Sequence, residues 1–96
     1  MKQKLLILAL LAGAALASPA AAADCFADYK AKKDNPLKLH YGVVQLYNGC
    51  SKASAKSEVA GRIARDGWTL LNVLSVFDAS KLAGKDANAG KFYLRY

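Results

Sequence analysis

Gly67-Trp68-Thr69-Leu70-Leu71-Asn72-Val73-Leu74-Ser75-Val76-Phe77 decides how this chain folds. It is the one long apolar run after residue 23, and it holds the single tryptophan. Side chains alternate along a strand, so Trp68, Leu70, Asn72, Leu74 and Val76 share one face. Thr69, Leu71, Val73, Ser75 and Phe77 share the other. Both sets are mainly apolar, as in a strand covered on both sides. The pattern predicts residues 68–77 as the central strand of a small sheet.

Immediately upstream, residues 51–66 carry a helical pattern. Ser51 and Ser54 are both suited to cap its start. Val59, Ala60, Ile63 and Ala64 form an apolar stripe, with Ala53 above them. Glu58 and Arg62 stand four apart in the favourable order for an outer-face pair. Gly67 is placed to end the helix in a left-handed cap. Downstream, residues 78–84 predict a single helical turn and residues 85–90 a polar loop. Residues 91–96 alternate Phe92, Leu94 and Tyr96 with Tyr93 and Arg95, which predicts a last strand.

Earlier still, residues 37–47 have strand propensity, with Asn48-Gly49 as the following turn. In residues 24–33, Phe26, Tyr29 and Lys33 recur at helical spacing behind Asp24, which predicts a short helix stopped by Asp34-Asn35-Pro36. Lys30, Lys32 and Lys33 then suit its C-terminal end. The expected fold is α+β: a small three-stranded sheet packed by one main helix, in the order strand-helix-strand-strand, preceded by a short helix.

The first 23 residues are expected to be a cleaved signal peptide. Met1-Lys2-Gln3-Lys4 is a basic start, residues 5–17 are uncharged and apolar, and Ala21-Ala22-Ala23 suits cleavage before Asp24. The apolar core is too short to span a bilayer. Residues 24–96 then form a single domain, located in the periplasm or secreted, whose membrane contact ends with the leader. A domain of this size has a marginal core. An export signal with Cys25 and Cys50 predicts one disulfide, tying the N-terminal helix to the far end of the strand at 37–47.

The chain of 96 residues has a formal charge of +7. Without Lys2 and Lys4, twelve basic residues face seven acidic ones, a charge of +5. Such a surface favours acidic partners, and export disfavours nucleic acid. An envelope protein or an anionic envelope component is the expected partner class.

Chemistry is sparse. His40 is the only histidine and Glu58 the only glutamate. A triad needs a nucleophile, a base and an orienting group, and nothing in the sequence supplies partners for His40. Two cysteines and one histidine fall short of the four ligands of structural zinc. Five residues separate Gly84 from Gly90, and Phe92 stands where a P-loop needs Ser or Thr. No catalytic residue, metal or cofactor is expected.

Two readings remain for the sheet face opposite the main helix. The N-terminal helix, with Phe26 and Tyr29, closes it. Otherwise Tyr41, Gln45, Tyr47, Tyr93 and Arg95 form an aromatic and basic binding face, or a face buried in a homodimer.

The run Ala60-Gly61-Arg62-Ile63-Ala64-Arg65-Asp66-Gly67-Trp68, with its following strand and Phe92-Tyr93-Leu94-Arg95, resembles a group of small bacterial domains of unknown function. Ala23-Asp24-Cys25-Phe26 and Leu39-His40-Tyr41-Gly42-Val43-Val44 are similar to small exported alphaproteobacterial proteins that share the two cysteines. The resemblance implies a helix–Gly-Trp–strand–strand core and brings no catalytic residue. The expected function is a non-enzymatic exported binding or interaction module. The alternatives are a small enzyme using His40 and a basic secreted effector or inhibitor of an acidic target.

Overall fold

The structure is a computed structural model and describes residues 24–96; the expected leader at 1–23 lies outside the described residues. The fold is α+β, a three-stranded antiparallel sheet with one main helix and a Cys25–Cys50 disulfide. Strand β1 is Cys25–Lys33, β2 is Lys38–Leu46, helix α1 is Lys52–Ala64 and β3 is Thr69–Phe77. A 3₁₀ turn at Ala79–Lys81, a short helix α2 at Lys85–Ala89 and a second 3₁₀ turn at Gly90–Phe92 complete the described chain.

The sheet order is β2-β1-β3, which corrects two expectations. Residues 24–33 are the central strand rather than a helix. Their decisive period is two. Ala27, Tyr29 and Ala31 face α1 and are fully buried, while Asp28, Lys30 and Lys32 alternate with them. Alanine and lysine favour helices locally, but tertiary packing overrides that preference. The two alanines leave room beneath Ala55, Val59 and Ile63 of α1. The break at residues 34–37 joins two strands, with Asn35 in the left-handed region that asparagine tolerates. The resulting hairpin runs from Lys33 opposite Lys38 to Cys25 opposite Leu46.

β3 is therefore an edge strand. Its pairing with β1 skips Leu74, between Ser75 and Val73, and skips Leu71, between Asn72 and Leu70. Each skip is a bulge that shifts the alternation by one residue. Core contacts consequently fall on Leu70, Val73 and Val76, three apart rather than two. The bulged Leu71 and Leu74 are exposed. The two apolar faces expected from strict alternation are one face interrupted twice.

Helix α1 follows its sequence signals closely. The Ser51 hydroxyl accepts from the Ser54 amide at 3.0 Å, satisfying one orphan N–H of the first turn. At the other end the Gly67 amide donates to the Ala64 carbonyl at 2.9 Å and the Trp68 amide to that of Ile63 at 3.2 Å. With Gly67 at φ 83°, this is a Schellman closure. Glu58 and Arg62 do pair, at 2.8 Å, but they are turned inward. Glu58 accepts from the amides of Tyr47 and Asn48, and Arg62 donates to the carbonyls of Gln45 and Tyr96. The pair thus ties the end of β2 and the C-terminal segment to α1.

The other sheet face is closed by the chain after β3. Lys85 of α2 reaches Asp28 at 3.3 Å and lies over the Phe77 ring, which stacks on Phe26. Ala89 and Val43 are buried there. Residues 91–96 are a 3₁₀ turn and a strap instead of a strand. Only Val43 and Tyr93 form a bridge, with the Leu94 amide donating to the Val43 carbonyl at 2.8 Å. Leu94 takes a left-handed φ of 54°, which a regular strand does not allow.

Candidate functional site

The β1–β2 hairpin end of the sheet, the C-terminal end of α1 and the strap at 90–96 converge around His40. Its neighbour across the sheet is Ala31, so the imidazole lies on the α1 side. The ring is 8% exposed. It stacks on Phe92 with centroids 3.7 Å apart and meets the edges of Trp68 at 4.3 Å and Tyr29 at 5.3 Å. Nε2 lies 2.9 Å from the Tyr29 hydroxyl, and Nδ1 has no hydrogen-bond partner among the described residues.

Burial, and then the charges of Lys33 and Lys91, push the His40 pKa down to about 4. Burial likewise raises the Tyr29 phenol. Both groups are neutral at pH 7. No carboxylate or serine hydroxyl reaches His40 among the described residues. The neutral ring stacks on Phe92 and so packs the strap against the sheet.

The sign of the pH dependence follows from that depression. Between pH 6.5 and about 4 the unfolded chain holds a proton on His40 that the folded chain does not, so stability falls as pH falls. The full effect is at most ~3 kcal/mol. Asp28 adds to it at lower pH. Burial acts to raise its pKa, but hydrogen bonds from Ser75 at 2.7 Å, Tyr41 at 2.8 Å and Lys85 outweigh burial and leave it lowered. Its contribution is present above the ordinary value of 3.8 and is lost below it. Urea denaturation between pH 7 and 5 is expected to show stability falling for the wild type and nearly constant for His40→Gln, which can keep a hydrogen bond to Tyr29. Equal slopes for the two proteins would remove His40 from this role.

Beside the buried histidine lies an open groove of about 730 Å³. Trp68, Phe92 and Tyr96 line it, together with four cations, Lys33, Lys38, Lys91 and Arg95. Three of these cations sit over rings of the groove itself: Lys33 at 4.6 Å from Trp68, Lys91 at 5.4 Å from Phe92 and Arg95 at 5.8 Å from Tyr96. The single carboxylate in the lining is Asp66, which accepts from the Tyr96 hydroxyl at 2.8 Å. A second groove of about 490 Å³ shares Asp66, Arg95 and Tyr96 and adds Arg62 and Arg65. The two make one basic band. None of the four cations pairs with a side-chain carboxylate among the described residues.

Neither groove gathers all five residues expected to form a binding face. Tyr41 donates to Asp28, and burial together with that bond pushes its pKa up to about 12. Tyr47 is 70% exposed, its hydroxyl on Gln45 and its ring beside Arg62. Tyr93 sits at the outer edge of β2. Arg95 alone lines both grooves, with Tyr47 bordering the second. Sequence reasoning missed the groove because its cations come from β1, β2 and the strap, which are remote in the chain. The usable signal was an aromatic residue beside a basic one in Lys91-Phe92 and Arg95-Tyr96.

Among the described residues no group of three or more His, Cys, Asp or Glu side chains could hold a metal ion, and no helix is long and apolar enough to cross a membrane. The disulfide is consistent with an oxidising compartment. Comparison with protein families, with curated proteins and with solved structures finds no match.

Proposed function

We propose that the chain is an exported, non-enzymatic binding module of the periplasm or the extracellular space, and that its site is the basic aromatic groove beside His40. Its ligand is an anionic component of the cell envelope. The observation that carries this reading is the lining of the groove: four cations, three of them over its aromatic rings, with one carboxylate already engaged by Tyr96. Unpaired surface cations along an open groove with low-dielectric walls raise the local concentration of anions. The rings hold the lysine and arginine heads in place and supply flat apolar surface for the uncharged part of a ligand. A binding role also suits His40, whose one hydrogen-bonding partner is a neutral phenol.

Trp68 is the only tryptophan and lines the groove, so its fluorescence reports occupancy directly. Titration with inorganic polyphosphate at low salt is expected to change Trp68 emission saturably. At ~1 M salt, where the Debye length is only ~3 Å, the affinity should fall at least ~10-fold. Lys33→Ala with Lys91→Ala should weaken binding by ~10-fold or more, each exposed contact contributing up to ~1 kcal/mol. Titration curves that ignore both salt and the paired substitution would refute the groove as an anion site.

A further inference from the structure

The β1–β2 hairpin projects leucines at the rim of this groove. Leu37 is 64% exposed and Leu39 is 66% exposed, although each stands beside Lys38 in a segment otherwise suited to polar residues. Leu71, bulged out of β3, is 49% exposed and lines one shallow depression with Leu39, Tyr41 and Lys30. Three large apolar side chains therefore share one end of the molecule. Lysines from both strands and from the strap surround that end: Lys30, Lys33, Lys38 and Lys91. The nearby carboxylates are engaged, Asp34 by Lys32 at 3.1 Å and Asp66 by Tyr96.

We infer that this end docks on an anionic lipid surface, with Leu37, Leu39 and Leu71 entering the headgroup–acyl boundary and the lysines contacting phosphates. The inference rests on the groove being an anion site. It departs from the expectation that membrane contact ends with a cleaved leader. Exposed leucines ringed by lysines fit a surface that offers apolar depth and negative charge together. A soluble polyanion offers only the second, and a second copy of this basic chain would bring lysines against lysines. Trp68 at the groove wall is the residue type that settles at a membrane interface. The hairpin presents its leucines to solvent as it stands.

The test uses the exported protein with its processed N-terminus established by mass spectrometry. Vesicles of phosphatidylglycerol in phosphatidylcholine are compared with vesicles of phosphatidylcholine alone, by co-sedimentation and by the Trp68 emission maximum. Inorganic polyphosphate serves as the soluble anion. Binding is expected on the anionic vesicles with a blue shift of Trp68, and at least ~10-fold weaker on the neutral ones. Leu37→Ser with Leu71→Ser lies outside the groove lining and should weaken vesicle binding by about 10-fold or more while leaving polyphosphate binding unchanged. Vesicle binding unaffected by this pair would overturn the inference. Polyphosphate binding without vesicle binding would overturn it and leave the groove intact as an anion site. Binding of neither would remove both.

Discussion

Gly42→Ala is expected to destabilise the domain by roughly 4 kcal/mol. Gly42 pairs with Tyr29 across β1 and β2. A Cβ there would stand 2.3 Å from the Tyr29 hydroxyl oxygen, 2.4 Å from Cζ and 2.7 Å from Cε1. The Tyr29 ring cannot easily yield, because it is fully buried beneath α1 and its hydroxyl meets His40. Overpacking of this kind typically costs 1–3 kcal/mol. Displacing the phenol also strips His40 of its hydrogen bond, a further ~1–3 kcal/mol for buried groups left unsatisfied. A single core in a domain this small supplies only ~3–5 kcal/mol, so the variant should depend on the disulfide to stay folded. Urea denaturation followed by far-ultraviolet circular dichroism measures the loss. Adding Tyr29→Leu to Gly42→Ala should recover part of it, since the clash and the missing volume compensate. A cost below ~1 kcal/mol for Gly42→Ala would show that Tyr29 does not lie over Gly42 as described.

Replacing both cysteines by alanine is the second large effect. The bond joins Cys25, the first residue of the central strand, to Cys50, just before the cap of α1, across a sequence separation of 25. Chain-entropy reasoning gives about 3.5 kcal/mol for a loop of that length. For a domain of this size that corresponds to a fall in Tm of about 15–25 °C. The loss should affect the sheet and α1 together, because β1 contacts both β2 and β3 and carries the α1-facing alanines. Calorimetry of Cys25→Ala/Cys50→Ala against the oxidised wild type checks the figure. A fall of less than ~5 °C would mean that the core alone holds the fold. In an oxidising compartment the bond persists.

Residues 24–33 show where local reading gives way. Their alanines and lysines are good helix formers, and Phe26, Tyr29 and Lys33 lie at helical spacing. The same ten residues also alternate, and only a helix waiting on one face makes Ala27 and Ala31 the preferred fit. Helical propensity is worth tenths of a kcal/mol per residue, whereas burying a side chain as large as Tyr29 is worth about 1.5–3 kcal/mol. Gly42 carried a legible signal, since glycine inside a strand marks close approach of another group. The identity of that group, Tyr29, depended on the hairpin register.

The groove was illegible for a different reason. Its cations sit at positions 33, 38, 91 and 95, on three separate elements. Each has an ordinary local explanation, and no spacing rule connects them. The fold brings them together because the strap wraps the edge of β2 and seats Phe92 on His40.

By itself the sequence determined the main helix with its Ser51 cap and Gly67 closure, the pairing of the two cysteines, the α+β class and the positive charge. These are local or combinatorial properties, settled by a few neighbouring residues or by there being only one way to join two thiols. Tertiary structure alone decided which strand is central, where β3 bulges, which segment closes the second face and where the cations gather. Those depend on competition between elements for the same buried area, and a strand's place in a sheet is not written in its own residues. The apolar run from Gly67 to Phe77 sits at the edge, beside the central strand that carries Ala27, Tyr29 and Ala31.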